Sequence, residues 1–291
     1  MTQMPPRPED IDQVDGPRGD GPKNQQSYLR AVGDDERQPR QPRFAGDKPW
    51  KPWVTYSIIV ICVVMLVAQK IYPPLVSYLA FQPASSLLQP YRFITAAFMH
   101  GGIIHLLFNM YALYLVGPTL EQLLGRARYI VLYGLAALGG SAAFSAVVVI
   151  DPKAWVAVTV GASGAVFGLF AAIVVVFKKI KLPVKSMVVL IGINLILGFV
   201  IPNLAWQAHI GGMLVGAVLT ALYVRTVKLA KISRIIVDVV VSVAIFAGIV
   251  GAVHAAYGYA LLRDLPQQTS TQTVALGNVV DRGGVTSTTS A

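Results

Sequence analysis

One serine, three histidines and an asparagine stand where they could perform nucleophilic chemistry. Ser163 lies between Gly161 and Gly164 in TVGASGAVFG, His209 lies in AHIGGMLVG, and HGGIIHLLFN carries His100, His105 and Asn109. A serine hydroxyl is a weak nucleophile until a base takes its proton, and imidazole is the commonest base for that task. Charge developing on an attacked carbonyl would then need donors, which His105, Asn109 and the backbone N–H of Ser163 could supply. Asp151 falls in a loop, and Glu121 and Asp238 lie toward the opposite membrane face, so no carboxylate completes a triad. The expected machinery is a Ser163/His209 dyad.

Taken singly, each residue has a plainer reading. Asn and His link membrane helices by hydrogen bonds, and serine beside glycine is a small packing residue. Ser163 is not in a GxSxG elbow, because residue 165 is Ala, and that elbow needs a strand-to-helix turn. Other chemistries fit less well. A HExxH zinc site needs histidines four apart with a Glu, whereas His100 and His105 are five apart with none between them. Aspartyl catalysis needs paired intramembrane carboxylates. Cys62 is the only cysteine, which leaves neither a thiolate cage nor an intramolecular disulfide. No metal and no cofactor are expected.

These groups must be positioned by membrane helices. The chain is 55% apolar and 13% charged, and its long apolar runs suit a hydrocarbon core about 30 Å thick. An all-α polytopic protein with seven spans is expected, at roughly 54–71, 102–120, 127–150, 157–177, 186–201, 205–224 and 235–262. His105 and Asn109, four apart, share a helix face, and polar groups at that depth belong on a bundle interior or wet cavity. Gly161 and Gly164 would free the backbone around Ser163. Gly164 with Gly168, and Gly212 with Gly216, form small faces on spans four and six that would let Ser163 and His209 meet.

The net charge of +10 reports topology and not a nucleic-acid partner. From Met1 to Lys51 nine basic residues balance nine acidic ones, and the surplus lies within the apolar region. With the N-terminus cytoplasmic, ten basic residues fall on the cytoplasmic side and Lys70, Arg92 and Lys153 outside, which also puts the C-terminus outside. Residues 1–52 read as a polar disordered cytoplasmic tail, 53–226 as the catalytic core, 227–263 as a linker and seventh helix, and 264–291 as a polar disordered external tail. Between spans one and two, residues 72–99 are half apolar and broken by prolines, so short helices lying in the interface are expected. The tail lacks a signal-peptide h-region or transit character, which favours a bacterial cell (inner) membrane.

YRFITAAFMHGGIIHLLFN, GASG at 161–164 and AHIGGMLVG at 208–216, in that order across spans two, four and six, resemble the rhomboid family of intramembrane serine proteases. The resemblance covers about 54–224 and implies a six-helix core, here with one added C-terminal helix. It implies Ser163 as nucleophile, His209 as general base, His105 and Asn109 as oxyanion donors, and His100 as a brace. By the same resemblance Arg92 anchors the interfacial loop and Glu121 is a structural acid. Phe167 stands where many relatives carry Tyr, and its ring can still stack on His209. Phe108, beside Asn109, could gate access, although simple core packing is the plainer reading. The implied substrates are single-span membrane proteins, approached sideways through the lipid bilayer, past the short fifth span. A rhomboid-like pseudoprotease or chaperone that binds membrane helices without cutting them is the alternative. A proton-relaying transporter would need ionisable groups along a full path.

Overall fold

The computed structural model describes residues 50–200 and 205–282, with side chains other than those of 194, 197–200 and 264–282. Among the described residues seven long helices follow one another: α1 Trp53–Ile71, α2 Ile103–Leu124, α3 Arg126–Ser145, α4 Ser163–Lys179, α5 Lys185–Val200, α6 Trp206–Thr226 and α7 Lys231–Arg282. Strand pairing among the described residues is limited to one isolated bridge, Phe81 to Thr159. The chain is therefore an all-α bundle of six helices plus one.

Among the described residues five stretches are long and apolar enough to cross a membrane: Trp53–Ile71, Ile103–Leu124, Arg126–Val149, Trp206–Thr226 and Lys231–Arg263. Helices α4 and α5 are shorter, at 17 and 16 residues. The fourth span was expected over 157–177, but its helix begins only at Ser163. The preceding backbone is committed elsewhere. Thr159 and Phe81 exchange N–H to C=O bonds of 2.9 and 3.0 Å, and the Gly161 N–H donates to the Ala96 carbonyl at 2.9 Å. Groups bonded in this way cannot also build a helical ladder. Gly161 sits at φ +133°, a conformation that favours glycine.

Elsewhere the expected boundaries shift by a few residues, and the end of the fifth span at Ile201 and Pro202 lies outside the described residues. Helix α7 continues to Arg282, past the end expected for the seventh span at residue 262. Extending a nucleated helix adds one hydrogen bond per residue fixed, which is far cheaper than starting one. The N-terminal tail, up to residue 49, lies outside the described residues.

Helices α3, α4 and α6 pack backbone to backbone. A Cβ at Gly140 would lie 2.9 Å from the Ala208 carbonyl oxygen and 3.2 Å from the Gly164 Cα, and one at Gly168 would lie 2.9 Å from the Gly212 oxygen. Cβ atoms at Gly212 and Gly216 would run into the carbonyls of Gly164 and Gly168. Lipid tails are as apolar as leucine, so the helices gain by such close approach and not by leaving the lipid. Leu113, Leu132, Leu169, Ile173 and Leu219 fill the interior, while Val60, Val64, Ile104, Leu107 and Val240 stay exposed on the outer surface.

Glu121, fully buried, organises the end of the bundle away from Ser163. Its carboxylate accepts from the backbone N–H groups of Val54 and Thr55 at 3.1 and 2.8 Å, and from the Thr55 hydroxyl at 2.8 Å. Helix α1 has no side-chain cap of its own. Glu121 thus meets the first-turn donors and the positive end of the helix dipole from a neighbouring helix.

At the other end, the 72–99 connection forms short helices at Leu75–Leu79, Pro83–Ser86 and Arg92–Thr95 and a tighter turn at Ala96–Phe98. Arg92, buried, ties them together. Its guanidinium donates to Gln89 Oε1 at 2.6 Å and to the carbonyls of Ala80 and Ser77, each at 2.7 Å.

Candidate active site

Ser163 is the first residue of α4, and His209 lies in the first turn of α6. The glycine contact between these helices brings Ser163 Oγ and His209 Nε2 to 3.0 Å. The imidazole is 3% exposed and lies flat on Phe167, one helical turn beyond the serine, with ring centroids 4.3 Å apart and planes 10° from parallel. Among the described residues no carboxylate meets its Nδ1. For Nε2 to accept the serine proton, Nδ1 must carry the ring hydrogen.

His105 closes the other side. A Cβ at Gly161 would sit 2.7 and 2.9 Å from His105 Cε1 and Nε2, and 3.8 Å from Ser163 Oγ, so glycine is required here for space as well as conformation. The Gly101 N–H donates to His105 Nδ1 at 3.4 Å. That bond leaves the proton on Nε2, which therefore faces Gly161 as a donor. Asn109, 6% exposed, sits one turn further along α2, and its amide donates to the His105 carbonyl at 2.9 Å. It is held by its own helix and makes no hydrogen bond to Ser163 or His209 in this conformation.

His100 lies in the loop before α2, 1% exposed, its ring edge-on to that of His105 at 5.3 Å. Burial, with His105 beside it, pushes its imidazole down to about 4, so it stays neutral. Beside Ser163 a cavity of about 20 Å³ is lined by Ala96, Ala97, Ala137, Gly140, Ser141 and Ala208. The structure thus gathers Ser163, His209, Phe167, His105 and Gly161, with Asn109 and His100 adjoining them. Arg92 serves the interfacial loop, and Glu121 lies at the far end of α2. Phe108, for which core packing was expected, is 73% exposed, since it follows the lipid-facing side of α2.

Residues 87–226 match the family model of the Rhomboid domain. The rhomboid protein YdcA of Bacillus subtilis (strain 168) is 33% identical over 141 residues, covering 46% of this chain and 68% of that protein. The chain belongs to the rhomboid family. RHOMBOID-like protein 6, mitochondrial, of Arabidopsis thaliana is 29% identical over 220 residues, covering 60% of this chain and 69% of its own. Rhomboid protease GluP of Bacillus subtilis (strain 168) is 37% identical over 131 residues, covering 43% of this chain and 24% of its own. Rhomboid membership and the apolar helices make this an integral membrane protein, and membership supports an intramembrane protease function.

The rhomboid core also holds a contact that sequence reading did not single out. The Gln69 side chain, near the end of α1, exchanges hydrogen bonds with the His100 backbone, donating to its carbonyl at 2.9 Å and accepting from its N–H at 3.0 Å. This fixes the loop that leads into His105. A lone amide at the end of an apolar helix was the available signal.

Proposed function

We propose that the protein is an intramembrane serine endopeptidase working through a Ser163/His209 dyad. The observation that carries this reading is the 3.0 Å contact between Ser163 Oγ and His209 Nε2. In acylation His209 takes the hydroxyl proton while Oγ bonds to the substrate carbonyl carbon, and the tetrahedral oxyanion forms. The C–N bond then breaks as His209 returns the proton to the leaving amine. A water gives a proton to His209 and attacks the acyl ester, whose C–O bond to Ser163 breaks as His209 returns that proton to Oγ, releasing the new carboxylic acid, which ionises.

The oxyanion would be met by the Ser163 backbone N–H, a first-turn donor without a helical partner, and by His105 Nε2–H. Asn109 would join them after a side-chain rotation, with His100 bracing His105. Phe167 holds the base by stacking, Arg92 holds the interfacial loop, and Glu121 holds the bundle.

Substrates on this reading are single-span membrane proteins whose helices unwind locally. A helical peptide bond hides its carbonyl among its own hydrogen bonds, so unwinding must precede attack. The membrane on this reading is a bacterial cell membrane, and the charge distribution supports a cytoplasmic N-terminus and a site opening to its external side. Approach from lipid past the short α5 fits its exposed Val188, Val189 and Ile193.

The test is cleavage of a fluorogenic transmembrane peptide in detergent by wild type, Ser163→Ala and His209→Ala, with fluorophosphonate labelling of Ser163. Both substitutions should abolish turnover, and Ser163→Ala should abolish labelling. Equal cleavage by all three would exclude the dyad. Peptide binding without cleavage by wild type would favour a helix-binding pseudoprotease or chaperone.

A further inference from the structure

Ser163 is delivered by the non-helical segment 157–162, so its backbone is only as well placed as whatever holds that segment. On one side the holder is the interfacial loop, through the Phe81–Thr159 bonds and the Gly161–Ala96 bond. On the other it is the turn Pro152–Val156, whose Val156 carbonyl accepts from Gln82 Nε2 at 3.0 Å. Both holders converge on α7.

Tyr257 stands at the convergence. Its hydroxyl lies 2.9 Å from Ser86 Oγ in the interfacial helix Pro83–Ser86. Ser86 already spends its one proton on the Pro83 carbonyl at 2.7 Å, so Tyr257 is the donor. The same ring packs against Trp155 in the turn, with centroids 5.0 Å apart and planes tilted by 46°. Val253 and Ala260 are buried with it against Val148 and Ala154, and Arg263 donates to the carbonyls of Val148 and Val149.

Helix α7 is also pinned at its opposite end. Asp238 pairs with Arg128 of α3 at 2.6 Å and accepts from the Thr226 hydroxyl at 2.9 Å, and Ser242 meets Tyr223 at 2.8 Å. Between the two ends Val239, Val240, Val243 and Phe246 stay exposed. An anchor in lipid would need neither polar lock.

The geometry points to α7 as a strut for the reaction centre: Tyr257, through Ser86 and Trp155, is a positioning residue that sets the 157–162 segment and hence Ser163. This rests on the hydrolase reading of the site. The strut lies outside the matched Rhomboid domain, which ends at residue 226.

The test uses the full chain in detergent, comparing wild type with Tyr257→Ala, Tyr257→Phe, Ser86→Ala and the Ser86→Ala/Tyr257→Phe pair. Readouts are kcat and KM on the transmembrane peptide, the rate of fluorophosphonate labelling of Ser163, and hydrogen exchange of the 157–163 amides, all well below each variant's Tm. Loss of the Ser86–Tyr257 bond should lower kcat and labelling about threefold in Ser86→Ala, and at least as much in Tyr257→Phe, because the Tyr257 hydroxyl also meets the Ser145 side chain. The double variant should be no worse than Tyr257→Phe, because Ser86→Ala removes only a bond that Tyr257→Phe has already removed. Tyr257→Ala should lose about tenfold or more, with KM unchanged and faster exchange at 157–163. Wild-type labelling and kcat in all variants, or a change in Tm or KM alone, overturns the proposal. If Tyr257→Ala does not fold, Tyr257→Phe and Ser86→Ala decide. If wild type is neither labelled nor active, the hydrolase reading fails by itself. Exchange then judges the strut: equal rates in wild type and variants overturn it.

Discussion

The His209 ring lies face to face with Phe167, one turn beyond the nucleophile on the same helix, at 4.3 Å and 10°. The contact fixes the plane of the imidazole, and so the direction in which Nε2 reaches Ser163. Phe167→Ala should lower kcat about 3- to 10-fold, the worth of such a ring pair. Phe167→Tyr should keep near wild-type turnover. Steady-state cleavage of the fluorogenic transmembrane peptide distinguishes the two.

Asn109 is tied to the His105 carbonyl at 2.9 Å before substrate arrives. If its amide turns to the oxyanion, Asn109→Ala should lower kcat about 10²-fold or more, with Tm little changed. A large fall in Tm with preserved turnover per folded molecule would instead make it a structural link.

The cavity of about 20 Å³ beside Ser163 has room for little more than a methyl group. Peptides with Ala at the residue that enters it should be cleaved faster than those with Leu or Phe there, in kcat/KM. Equal rates for Ala and Phe would place the substrate side chain elsewhere.

Gly212 faces the Gly164 carbonyl one residue from Ser163, with no space for a Cβ. Gly212→Ala should destabilise the bundle by about 1–3 kcal/mol and cut activity by parting α4 from α6. Gly134→Ala, whose Cβ would meet nothing within 4 Å, is the control and should raise stability slightly. Thermal unfolding in detergent measures both.

Glu121→Ala would strip the acceptor from the Val54 and Thr55 N–H groups. Each buried donor left unpaired costs about 1–3 kcal/mol, so a clear fall in Tm is expected. The nearby Arg126, 3.7 Å away and half exposed, contributes little to the pair. Ser163 labelling at low temperature should survive, since this acid acts at the far end of α2.

Much of this was legible in the chain. Long apolar runs separated by basic loops set the helices and their number, because a bilayer accepts only segments that satisfy their own backbone. HGGIIHLLFN, GASG and AHIGGMLVG marked the polar groups, since histidine, asparagine and glycine in such runs need a reason to be there. What sequence could not supply was the start of α4. The run at 157–177 looks like one apolar helix, and hydrogen bonds to Phe81 and Ala96, some 60 to 80 residues away, keep the segment before Ser163 out of it. The sites of Tyr257 and Gln69 were hidden for the same reason. Composition and local periodicity determine which segments are helical, whereas contacts between residues remote in the chain decide where a helix begins and which side chains meet.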